Sequence, residues 1–178
     1  MTLRHRQRVV VLAGLCAVLL SGCAVKSSVH AYAEPGADLR GFRAYAWAAT
    51  EPTATGDPRL DSNEIFQDQV QAAVDRQLAA RGFEKTAAGA SELLVHYHAS
   101  VAQRIDLSER EPFTPCRDCK PFIYDAGTLV IDLVETRTGK VLWRGWAEGN
   151  VDAVVANQRW LDERIERDVT RIFERLPR

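Results

Sequence analysis

The sequence predicts an α+β domain: a two-layer sandwich in which a mainly antiparallel sheet carries two amphipathic helices packed on one face. Three observations predict it. Two segments, one near residues 61–81 and one near 157–176, repeat apolar residues every three or four positions, which is helical spacing. Three segments after residue 90 alternate apolar and polar residues with period two, which is strand spacing. The last two of these strands are joined by a short Thr136-Arg137-Thr138-Gly139 turn, so they form a hairpin. One-sided helices and an antiparallel meander bury their apolar faces most simply against each other.

The chain has 178 residues, 46% hydrophobic and 26% charged, enough for one globular domain behind a targeting segment. Its first 22 residues fit a signal peptide: a head with Arg4, Arg6 and Arg8, then the apolar run Val9–Leu20, then Ser21 and Gly22. As a helix that run would rise about 18 Å, short of a hydrocarbon core of about 30 Å. Leu20-Ser21-Gly22-Cys23 resembles the bacterial lipobox, in which the cysteine after the cut becomes lipidated. Several acyl chains on Cys23 would anchor the chain firmly, each buried methylene adding about 0.8 kcal/mol. The alternative is an ordinary secretory signal with Cys23 incidental. By resemblance to Gram-negative sorting rules, Ala24 after the cysteine directs the product to the outer membrane, facing the periplasm. Loss of residues 1–22 would shift the net charge from −1 to −4, which gives no electrostatic reason to bind nucleic acid.

Residues 23–40 read as the lipidated N-terminus and a tether, and 41–178 as the folded domain. Phe42–Trp47 is a short aromatic strand, followed by a Thr-, Pro- and Gly-rich loop. Asp61 and Glu64 have capping-box spacing at the start of the first helix, with Leu60 and Ile65 at the staple positions. Phe66, Val70, Val74 and Leu78 form its stripe, and Gly82 follows its end. A further short strand is expected near Phe83–Thr86. In the strand Ser91–Arg104, Leu93, Val95, Tyr97, Ala99 and Val101 share one face, while His96 and His98 share the other. A loop from Leu107 to Ala126 carries Pro112, Pro115 and Pro121. Strands Thr128–Glu135 and Lys140–Asn150 follow, the second with Trp143 and Trp146 on opposite faces. In the last helix Leu161, Ile165, Val169, Ile172, Phe173 and Leu176 form the stripe. Glu163, Arg164, Glu166, Arg167, Asp168, Arg171 and Glu174 read as its solvent side, and Pro177 ends it.

The segments SELLVHYHAS and GTLVIDLVETRTGKVLWRGWAEG, the early FRAYAWAAT, the helix ending in RGF and the closing amphipathic helix resemble the DUF4136 family of envelope lipoproteins. The resemblance covers roughly residues 40–176. It implies a small α+β periplasmic domain behind a lipoprotein signal and no known reaction. Cys116 and Cys119 lie outside that pattern and gain nothing from it.

Each candidate site has a plain alternative. Cys116-Arg117-Asp118-Cys119 sits between Pro115 and Pro121, with no helix following to lower a thiol pKa and no second CxxC to complete a zinc site. A local disulfide is the simplest reading; two free thiols, or a thiol-redox or metal role, are the others. His96 and His98 are same-face neighbours that could begin a metal site, or two histidines on the polar side of an amphipathic strand. Asp132 interrupts an apolar strand, and Arg144 on the next strand is its expected partner. Trp143 and Trp146, with Trp160, suit a recognition surface or core packing. No phosphate loop, dinucleotide fingerprint, G-x-S-x-G or H-E-x-x-H occurs, so no catalytic residues, cofactor or metal are assigned. The expected function is a non-catalytic, membrane-anchored envelope module that binds a protein partner or supports an assembly. A hydrophobic-ligand-binding lipoprotein is the alternative, and a thiol-redox or metal protein a third.

Overall fold

The computed structural model describes residues 27–49, 54–61, 63–106 and 122–177. Cys23, Cys116 and Cys119 lie outside them. In chain order the elements are β1 (Ser28–Ala33), β2 (Ala44–Trp47), α1 (Glu64–Ala79), β3 (Glu84–Lys85), β4 (Leu93–Asp106), β5 (Phe122–Glu135), β6 (Val141–Asn150) and α2 (Gln158–Phe173). The strands form one six-stranded sheet in the order β1-β6-β5-β4-β2-β3. The class is α+β, as the periodicities predict, but the sheet is mixed. The β1–β6, β4–β5 and β5–β6 pairs are antiparallel, while β2 runs parallel to both β3 and β4. The cause is the α1 crossover: a helix between two strands carries the chain back to the end where it started.

Three further expectations change. Residues 28–33 are not tether: Ser28–Ala33 pairs along β6 from Ser28↔Glu148 to Ala33↔Trp143, with Pro35-Gly36 turning the chain away after it. β5 begins at Phe122, four residues before the expected end of the loop, so β4 and β5 pair over their full 14-residue lengths. The cap of α1 is Asn63, whose side chain accepts from Phe66 N–H at 3.0 Å. Asp61 instead belongs to the preceding turn and accepts from Thr55 N–H at 2.6 Å. Ile65 is 59% exposed and staples nothing, whereas Leu60 is buried.

The stripes of both helices join one core with the strands. Val70, Val74 and Leu78 of α1 and Ile165, Val169, Ile172 and Phe173 of α2 cluster with Leu93, Val95, Ile131, Leu133 and Trp143. Burial of each such side chain contributes about 1.5–3 kcal/mol. Gly145 on β6 makes the packing possible: a Cβ there would lie 2.4 Å from the Trp143 ring and 2.5 Å from Ile172. The turn before β6 ends at Gly139, whose φ of 68° is in the left-handed region. The extra residue Leu142 interrupts the β5–β6 register between Leu133↔Trp143 and Val134↔Val141 and is itself buried.

Candidate functional site

The sequence-predicted site residues separate across the sheet. Trp143 is fully buried against Phe173, ring centroids 5.5 Å apart, and its indole Nε1 has no hydrogen-bond partner among the described residues. It is a core residue and is removed from any recognition surface. Trp146 lies on the opposite face, partly covered by His30 of β1, stacked at 5.3 Å. That histidine went unnoticed because its strand reads as tether. His96 and His98 share the Trp146 face; His96 is half-buried and lies across from Asp132, and His98 is exposed. Among the described residues no three His, Cys, Asp or Glu side chains are grouped to hold a metal ion. The Cys116 and Cys119 readings fall outside the described residues.

Asp132 is 3% exposed and takes a two-pronged ion pair from Arg144, at 2.7 and 2.6 Å. The hydrogen bonds to Asp132 hold the Arg144 guanidinium above its ordinary pKa. Both acceptor oxygens are engaged, which is the geometry of a structural pair rather than of a free acid.

A second buried pair went unpredicted. Arg164 and Asp168 of α2, placed by their charge on the solvent side, are 5% and 6% exposed and bonded to each other. Ser27 Oγ donates to Asp168 at 2.6 Å, and Arg171 donates to the Ser27 carbonyl at 3.0 Å and hydroxyl at 2.9 Å. The chain entering β1 is therefore clamped onto the middle of α2. Beside this pair lies an apolar pocket of about 60 Å³, lined by Leu60, Phe66, Val101, Leu129, Val155 and Ile165 among others.

At the other end of the helices a wider groove of about 800 Å³ opens between the α1 C-terminus, the α2 C-terminus and the approach to β2. Leu39, Phe83, Phe173 and Leu176 give it an apolar floor, and Arg40, Arg43, Arg81 and Glu174 stand around it, Arg40 already paired with Asp38 at 2.9 and 3.1 Å. Arg81 is held in place: it donates to the Phe173 carbonyl at 2.8 Å and lies 5.4 Å from the Phe173 ring centroid. Arg43 donates to the carbonyls of Arg40 and Phe42 at 3.1 and 3.2 Å. Little in the amino-acid pattern points to this groove, because its arginines come from two segments, 40–43 and 81, that only the fold brings together.

Residues 29–178 match the family model described as a domain of unknown function, DUF4136. The chain belongs to this family. The matched span begins within β1, so the DUF4136 unit includes the strand read as tether. No curated protein matches the sequence. Among solved structures, this DUF4136 chain is similar to a PDZ domain protein from Parabacteroides distasonis, at 14% identity and a TM-score of 0.56. The match covers 93% of this chain but 40% of that protein, so the likeness is of fold alone and to part of a longer chain. It also overlaps the PelC dodecamer from Paraburkholderia phytofirmans (13% identity, 83% of this chain and 95% of that one, TM-score 0.43). A putative neuraminyllactose-binding hemagglutinin homolog from Helicobacter pylori gives 13% identity, 76% and 83% coverage and a TM-score of 0.42. No described helix of the DUF4136 domain is long and apolar enough to cross a membrane.

Proposed function

We propose that this DUF4136 domain is a non-catalytic binding module of the Gram-negative envelope, tethered to the outer membrane by lipid on Cys23 and facing the periplasm. The observation that carries the binding role is the groove of about 800 Å³, with an apolar floor and three arginines around it. A concave apolar surface with arginines at its rim, Arg40 among them paired to Asp38, suits a protein segment that offers a hydrophobic anchor and polar groups. The non-catalytic reading is supported by the way the buried carboxylates are used. Asp57, Asp132 and Asp168 each face an arginine at hydrogen-bond distance, which suits structure rather than proton transfer. The reading takes the two helices as one layer on one face of the sheet, supported by their joint lining of the apolar pocket with β4 and β5.

The test is site-specific photocrosslinking in the native host, with the reactive amino acid at Ala80 or Glu174 in the groove and at His98 on the sheet face as control. The reading expects one discrete adduct from the groove positions and none from His98. Equal labelling from both, or none from the groove, removes it. Cys23→Ser tests the anchor separately: the variant should leave the membrane fraction, and normal maturation with membrane retention would discard the lipid reading.

The apolar pocket favours a second reading, a hydrophobic-ligand carrier. At about 60 Å³ it admits the end of an acyl chain rather than a whole lipid. Native mass spectrometry of protein from its own host should then show added mass. The third reading, thiol-redox or metal chemistry at Cys116 and Cys119 with His96 and His98, is decided by zinc and copper analysis.

A further inference from the structure

We infer that one end of the domain, the end at which the described chain starts, is a membrane-contacting surface that inserts apolar side chains into the lipid interface. The inference rests on the lipid-tether reading above and adds a second, non-covalent contact to it.

The strand register defines the end. Ser28, Glu148, Thr128 and Ser100 stand side by side across β1, β6, β5 and β4. From this row β1 runs away toward Trp143, so the described chain starts at this row, with Ser27 held on Asp168. The β4–β5 hairpin continues in that same direction, residues 101–106 pairing with 122–127 beyond the row. At about 3.3 Å per residue this arm reaches about 20 Å. The five residues from Cys23 to Ser27 span at most about 18 Å. A lipid on Cys23 therefore keeps the arm within reach of the bilayer.

Both helices begin at this end. They run side by side in the same direction, as the contacts Arg76–Glu166, Gln77–Thr170 and Arg81–Phe173 require. Phe66 in the first turn of α1 and Leu161 in the first turn of α2 line the apolar pocket beside Ser100 and Thr128. Their neighbours Ile65 and Trp160 point to solvent, 59% and 45% exposed. On the arm, Ile105 and Ile123 are direct cross-strand partners, 60% and 51% exposed. Of the five large apolar side chains exposed among the described residues, only Tyr32 lies elsewhere. Single exposed apolar residues are ordinary, but four collected at one end, with a tryptophan among them, fit an interfacial contact. The charges there are mixed, with Arg59 paired to Asp57 beside Asp125 and Asp152, and Arg104 paired to Glu148. The contact is therefore apolar rather than electrostatic, and it requires no anionic lipid. The arginine-ringed groove, at the opposite ends of α1 and α2, then opens away from the bilayer.

Full-length acylated protein in phosphatidylcholine liposomes, with and without lipids brominated on their acyl chains, tests this through tryptophan fluorescence. One of four tryptophans lies at the interface, so brominated lipid should remove roughly a fifth of the emission. Trp160→Phe should abolish that loss. In this background Ile123→Trp should restore it and Lys85→Trp, at the far end, should not. Added salt should change nothing. Protein that floats with the liposomes but shows no quenching in any variant keeps its tether and overturns the orientation. Protein that does not float overturns the tether and the inference with it. Quenching that disappears at less than one protein per vesicle assigns this end to a second copy and also overturns the inference.

Discussion

Removing one half of the Arg164–Asp168 pair should cost more than removing both. Asp168→Ala leaves the Arg164 guanidinium in a site that is 5% exposed, with the Asn150 carbonyl, 3.4 Å away, as its remaining acceptor. Stranding a buried charge in this way costs about 3–5 kcal/mol. Ser27 also loses its acceptor, worth about 1 kcal/mol, although Arg171 still donates to its hydroxyl. Water entering from the adjoining pocket of about 60 Å³ offsets part of the stranded charge, so the lower end applies. A loss of about 3 kcal/mol moves the urea midpoint down by about 1.5 M, for a slope near 2 kcal/mol/M. The double variant Arg164→Met/Asp168→Leu replaces the pair by apolar side chains of similar size and should stay within about 1 kcal/mol of the parent. Urea unfolding followed by far-ultraviolet circular dichroism measures all three chains. A single variant that loses under about 1 kcal/mol, or a double variant as unstable as the single, would refute the account of this pair as a buried, mutually dependent unit.

Gly145→Ala places a methyl group 2.4 Å from the Trp143 ring and 2.5 Å from Ile172, both fully buried, so neither can yield cheaply. The overpacking should cost about 3 kcal/mol and lower Tm by about 6–12 °C. Trp143→Phe added to it should recover part of the loss, and an unchanged Tm for Gly145→Ala alone would contradict the packing. The fold should also weaken in acid. Backbone N–H groups of Arg43 and Ala44 hold the Glu92 carboxyl below its ordinary value, and the Arg59 guanidinium does the same for Asp57. Groups whose pKa is lower in the folded than in the unfolded chain stabilise the fold above the unfolded value, near 4, and lose that contribution as pH falls through the folded value. Tm should therefore hold steady from pH 7 to about 5 and fall below about 4. Glu92→Gln with Asp57→Asn should flatten that fall, and an undiminished fall in the double variant would exclude these two groups as its source.

What could be read from the sequence was set by period, and what could not was set by context. The stripes of α1 and α2 were legible because Val70, Val74, Leu78, Ile165, Val169 and Ile172 keep helical spacing and bury as that spacing requires. Arg164 and Asp168 were misplaced although the same spacing held the answer. They stand three and seven residues after Leu161, on the buried face, and four apart with opposite charge. Asp132–Arg144 was legible because a lone acid in an apolar strand needs a partner and the hairpin register supplies one. β1 was missed because six residues at a sheet edge, paired on one side, carry a weak pattern beside Pro35 and Gly36. The parallel β2–β4 pair was implicit in the strand–helix–strand order and was passed over because the later hairpin dominates the pattern. The groove was not legible, since Arg40 and Arg43 meet Arg81 only in three dimensions.

The polar nodes of this fold fall where apolar stripes leave position underdetermined. A helix bearing Val70, Val74 and Leu78 can slide by a turn over a flat apolar surface and lose little. Asp75 prevents that, because one carboxylate takes the Tyr45 hydroxyl at 2.8 Å, the Trp47 indole at 2.9 Å and the Lys85 ammonium at 2.9 Å. These bonds tie β2, α1 and β3 to a single register. Asp168 does the same for the N-terminal entry, joining Ser27 to α2 across 141 positions of sequence. Such bonds add little net stability, since each replaces a bond to water, but a misplaced segment leaves them unmade at full cost. The Arg164→Met/Asp168→Leu chain separates the two contributions. It should unfold at nearly the parent midpoint while Ser27 loses its bond to Asp168, and amide exchange at His30 and Tyr32, whose N–H groups face β6, should quicken relative to β5. Unchanged exchange there would mean that β6 pairing alone fixes β1, and that the buried pair serves packing rather than position.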